Sequence, residues 1–98
     1  MASTPEGRVK DKVKKILKAH NIYYAMPHGA GYGDAGVPDF LCCVKGKFVA
    51  IETKAHDNSK VTALQQKHLT DIEIAGGVTL VVHAANIHFF EIWAKENA

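Results

Sequence analysis

Asp39, Glu52 and Lys54 are the residues of this chain whose types and spacing could do chemistry. They flank two apolar runs, Phe40-Leu41-Cys42-Cys43-Val44 and Phe48-Val49-Ala50-Ile51, joined through Lys45-Gly46. Glycine accepts the positive φ of a tight hairpin turn, so Lys45-Gly46 is the expected turn centre. A two-residue loop pairs Val44 with Lys47 and Cys43 with Phe48. Continued backward, this register sets Asp39 opposite Glu52, on one face, with β-carbons about 4.5–5.5 Å apart. Strand alternation puts Lys54 on that face too. A bulge at the turn would shift the register by one.

Two carboxylates brought face to face repel, and a divalent cation relieves the repulsion. All-oxygen ligation favours Mg²⁺ or Mn²⁺ over zinc. A metal so held coordinates a phosphate oxygen and an attacking water. A neighbouring lysine can orient or deprotonate that water, or stabilise the charge that builds in the transition state. These are the parts that phosphodiester hydrolysis requires. The two runs are apolar on both faces, the pattern of strands covered on both sides. Charges at the end of such strands are costly unless paired, solvated or bound to metal. Spacing alone fits a salt-bridged trio at a strand end equally well.

The elements that must position these residues read as follows. Thr4-Pro5-Glu6 is a helix start, with Thr4 as N-cap and proline at the first helical position. Val9, Val13, Ile16 and Leu17 recur at helical spacing to about His20, and Asn21 ends the helix. Ile22-Tyr23-Tyr24-Ala25 is a short strand, and a glycine-rich loop covers 26–36. Strands follow over 37–44 and 47–54, then a polar loop over 55–61. Thr62 caps a second helix, to about Ala75, with Leu64, Leu69, Ile72 and Ile74 among its apolar positions. Gly76-Gly77 stops it. A β-branched strand spans 78–82, and Asn86 caps a last helix whose tail should fray after Lys95. The order α-β-β-β-α-β-α describes an α/β fold, a mixed sheet with helices packed on it.

The 98 residues suffice for one domain, 1–98, with one core. The net charge of +2 permits a polyanionic partner without demanding one. Adjacent Cys42 and Cys43 point to opposite faces of a strand and lack metal-site spacing. They read as two small buried apolar residues in a reducing, intracellular setting. No run approaches the ~20 apolar residues of a membrane span, and no secretory signal is visible.

Gly36-Val37-Pro38-Asp39, then Phe48-Val49-Ala50-Ile51-Glu52-Thr53-Lys54, then Val61-Thr62-Ala63-Leu64-Gln65, resembles the PD-(D/E)xK nuclease superfamily. More narrowly the chain resembles the VRR-NUC family, the virus-type replication-repair nucleases, from the first helix to Gly76-Gly77. The resemblance implies a restriction-endonuclease-like core. It implies Asp39 and Glu52 as metal ligands with the main-chain carbonyl of Thr53 as a third, Lys54 as the catalytic lysine, and Gln65 as a polar helper. Glu6 falls where the family often carries a further acidic residue, though a first-turn glutamate is favoured by the helix dipole anyway. Stand-alone members resemble Holliday-junction resolvases, which implies a Mg²⁺- or Mn²⁺-dependent homodimer acting on branched or structured DNA, of phage or prophage origin. The rival expectations are a catalytically silent DNA-binding module on the same fold, and a nuclease subunit that needs a partner for DNA recognition.

His28 and Tyr32 of the glycine-rich loop, with Lys60 and Lys67, are the candidate DNA contacts, each with a solvated side chain as the plainer reading. Tyr23 or Tyr24 reads as core. Lysines 10, 12, 14, 15 and 18 wrap too much of their helix to form one stripe, so solvation is their default reading. Phe89, Phe90 and Trp93 read as core or as a dimer interface.

Overall fold

The computed structural model describes residues 4–27 and 35–98. Helix α1 (Pro5–Ala19) starts on Thr4, whose hydroxyl accepts from the N–H of Gly7. It turns out of helical geometry at Asn21, which adopts φ 57°. Strands β1 (Tyr23–Ala25), β2 (Phe40–Val44) and β3 (Lys47–Thr53) form an antiparallel meander. Helix α2 (Ala63–Ile74) then crosses over to β4 (Val78–Val82), which pairs parallel with β3. Helix α3 (Ile87–Asn97) follows. The sheet order is β1-β2-β3-β4, and the element order α-β-β-β-α-β-α is the expected one.

The hairpin register is also as expected. Val44 pairs with Lys47, Cys43 with Phe48 and Phe40 with Ile51, with no bulge. Lys45 at φ 51° and Gly46 at φ 82° both take positive φ, as a turn matching the strand twist requires. Phe40, Cys42, Val44, Val49 and Ile51 therefore share one sheet face. They form the core with Val9, Val13 and Leu17 of α1 and Phe90 and Ala94 of α3. The alternate residues of β3, Ala50 and Glu52, look to the opposite face, where α2 lies beside β4.

Several expectations need correction. β2 begins at Phe40 rather than 37, because Pro38 has no N–H to give a ladder. Ile22 is core but outside β1; of the two tyrosines expected to supply a core residue, Tyr24 does so, packed edge-on against Phe40, and Tyr23 is exposed. Cys42 is buried, which pushes its thiol up to about 11, but Cys43 is exposed on the uncovered part of the other face. Asn86 makes no side-chain cap. Its amide instead accepts from the N–H of His83 and donates to the carbonyl of Val81. Helix α3 continues past Lys95 to Asn97. Leu64 and Ile74 of α2 and Phe89 of α3 are exposed.

Candidate active site

The start of β2 and the end of β3 lie side by side, and the first two turns of α1 and the first turn of α2 flank them. Glu52, Thr53 and Lys54 are 2%, 0% and 8% exposed, a polar trio inside an otherwise apolar core. Burying such groups is tolerable only where each is hydrogen-bonded or paired. Among the described residues no buried side-chain polar atom lacks a partner.

Asp39 sits just before β2, beyond the last ladder pair. Its Oδ2 accepts from the backbone N–H of Thr53 at 2.9 Å and from the Thr53 hydroxyl. The side chain thus stands in for the strand that Pro38 cannot extend. In an extended strand a residue's N–H and C=O leave on the same edge, so the Thr53 carbonyl also leaves on the Asp39 side.

Gln65 links the other two residues. Its Nε2 donates to Glu52 Oε2 at 3.1 Å, and its Oε1 accepts from Lys54 Nζ at 2.8 Å. Lys54 Nζ also lies 3.6 Å from Glu52 Oε2. The same Gln65 Oε1 accepts from the N–H of Thr62, while the Thr62 hydroxyl accepts from the N–H of Gln65. This capping box fixes where α2 starts, and thereby where the amide meets Glu52. Gly36 itself approaches α2 closely. It has φ +82°, and a Cβ there would stand 2.9 Å from Leu64 Cγ and 3.1 Å from the Gln65 nitrogen.

Burial pushes the Glu52 carboxyl up to about 7, and the charges of Asp39 and Glu6 add to the rise, while Lys54 opposes it. Its ionised form is thus disfavoured by burial first and by the neighbouring carboxylates second. The donor chemistry fits Mg²⁺ or Mn²⁺: two carboxylates and a carbonyl, all oxygen. Glu6 acts on Glu52 through space, but among the described residues no three His, Cys, Asp or Glu side chains cluster as a metal site.

Asp39, Glu52, Thr53, Lys54 and Gln65 are thus brought together. Lys67 instead pairs with Asp71 one turn on, at 2.9 Å, and Lys60 is exposed in the segment before α2. His28 and Tyr32 lie outside the described residues. Sequence reasoning missed Lys10, whose Nζ lies 3.7 Å from Asp39 Oδ1. Its signal was the i,i+4 spacing from Glu6, which sets both side chains on one side of α1.

The fold and site define an α/β domain whose mixed sheet carries acidic residues at a strand end. No family model matches the chain, and no curated protein matches it. A solved structure described as a VRR_NUC domain matches with a TM-score of 0.74 at 22% identity, covering 96% of this chain and 94% of that one. The chain has the fold of a VRR_NUC domain, the fold that its motifs imply. No helix among the described residues is long and apolar enough to cross a membrane.

Proposed function

We propose that the protein is a metal-dependent, structure-selective DNA endonuclease, a homodimeric intracellular resolvase of Holliday junctions. The observation that carries the nuclease reading is the continuous link from Glu52 through Gln65 to Lys54, beside an Asp39 anchored on Thr53. A salt-bridged trio at a strand end needs neither the amide between its charges nor their burial.

Asp39, Glu52 and the Thr53 carbonyl would hold the ion, which when bound supplies charge neutralisation at the phosphate and a more acidic water. Gln65 holds the Lys54 ammonium in place beside Glu52. Of the three N–H donors of Lys54, one serves Gln65 and one faces Glu52. The third is left to orient the attacking water or to face the charge that builds on phosphorus. Junction selectivity and the homodimer follow from the resemblance to stand-alone VRR-NUC proteins, since two symmetric cuts need two active sites.

The test is cleavage of labelled four-way junction, flap, splayed duplex, linear duplex and single strand, each with Mg²⁺, Mn²⁺ or EDTA. Wild type is run beside Lys54→Ala, with circular dichroism to confirm folding. Metal-dependent paired cuts in the junction, lost in the variant, are expected. Cutting of flaps or plain duplex instead keeps the nuclease and removes the resolvase. Tight binding without any cutting indicates a DNA-binding module or a subunit awaiting its partner.

A further inference from the structure

Lys10 makes a charged contact at this site that no motif accounts for. Its ammonium faces Oδ1 of Asp39 at 3.7 Å, the oxygen that Thr53 does not use. Buried Val9 and Val13 pin α1 against the sheet, so the helix cannot rotate to carry Lys10 elsewhere. The two lysines of the site differ in kind. Lys54 is enclosed, its side chain 10% exposed and tied to Gln65, whereas the Lys10 side chain is 34% exposed, on the open rim. At 3.7 Å the contact is longer than a good hydrogen bond, and partly exposed pairs of this kind are weak. The four-carbon stem lets the ammonium swing away without moving the helix.

We infer that Lys10 is a resident counter-cation of Asp39 that a divalent ion displaces, and that the displaced ammonium then contacts a DNA phosphate beside the site. The inference rests on the metal-dependent reading given above. Without metal, Asp39 and Glu52 face each other at the strand ends, Lys54 pairs with the enclosed Glu52, and Lys10 balances the more exposed Asp39. Asp39, if it held a divalent ion, would no longer need the Lys10 charge, and the ammonium would be repelled. The rim, where the ammonium is released, is the side from which DNA must approach a partly exposed Asp39. One lysine thus serves the carboxylate before metal binds and the backbone afterwards.

The test uses Lys10→Met, which keeps the stem and removes the charge, and Lys10→Arg, which keeps the charge. Mn²⁺ binding is measured without DNA, by calorimetry and by electron paramagnetic resonance. Lys10→Met should bind Mn²⁺ roughly two- to ten-fold more tightly than wild type, and Lys10→Arg no more tightly. Unchanged or weaker Mn²⁺ binding by Lys10→Met overturns the inference, because it makes Lys10 a mere support for Asp39. DNA binding is then followed against salt in Mn²⁺, with a phosphorothioate duplex that keeps its charge but resists cutting. Lys10→Met should bind more weakly, with a log–log salt slope shallower by about one. An unchanged slope overturns the phosphate contact. Wild type that binds no Mn²⁺ overturns the metal-dependent reading itself, and is told apart from failure of the Lys10 inference by that result alone.

Discussion

Asp39 and Thr53 are joined twice, through one carboxylate oxygen that accepts both the backbone N–H and the hydroxyl of Thr53. The contact closes the strand end that Pro38 leaves open, and it leaves Oδ1 turned to the rim. Asp39→Asn keeps an oxygen for both donors but loses the charge. It should fold with a midpoint within a few degrees of wild type while losing Mn²⁺ binding and at least about 10²-fold in cleavage. Thr53→Val removes only the hydroxyl and should cost about 1–2 kcal/mol of stability. Chemical denaturation beside Mn²⁺ calorimetry separates the two effects.

Gln65 serves both the helix cap and the site, and two substitutions divide these roles. Gln65→Ala loses the capping box, about 1 kcal/mol, together with the link between Glu52 and Lys54, so stability and cleavage should fall together. Gln65→Glu retains the cap, since glutamate serves equally at that position. It sets a second carboxylate against Glu52 Oε2, so the acid limb of the cleavage profile should move to higher pH, and by the same linkage the metal-free protein should lose stability above about pH 7. A profile that stays in place would remove Gln65 from the site's electrostatics.

Glu52 makes the metal-free protein pH-dependent. Its folded carboxyl is pushed up to about 7 from 4.5, so the folded state binds the proton more tightly than the unfolded chain does. Stability from this group is therefore full below about pH 4.5 and is lost as pH rises through about 7, by about 3 kcal/mol at most. In EDTA, Glu52→Gln should flatten that decline, measured by denaturation from pH 4.5 to 8. Metal binding runs the other way. The ion needs the ionised carboxylate, so Mn²⁺ affinity should climb with pH and level off above about 7.

Gly36 lies outside the site and still helps set it. At φ +82° any side chain is strained, and a Cβ would press on Leu64 and on the Gln65 nitrogen at 3.1 Å. Gly36→Ala should cost about 1–3 kcal/mol and displace the start of α2, lowering cleavage with it. Leu64→Ala in the same chain should recover little, because part of the clash is with backbone, at 3.0 Å from the Leu64 carbonyl carbon.

Periodicity and turn chemistry determined much of this protein. The element order, the two-residue turn at Lys45-Gly46, the register from Val44–Lys47 to Phe40–Ile51 and the Thr62 cap are local consequences of side-chain type. That register brought Asp39 and Glu52 to neighbouring strand ends on the page of the sequence alone. What only the tertiary structure decided is who touches whom across elements. Alternation gives two faces to Cys42 and Cys43, but α1 and α3 cover one face fully and leave the other partly open, so one thiol is buried and the other exposed. The five lysines of α1 look alike in a helical repeat, yet the packing of Val9 and Val13 turns Lys10 toward Asp39. Gln65 meets Glu52 and Lys54 because the crossover to β4 lays α2 beside the sheet, a long-range placement that no local spacing carries.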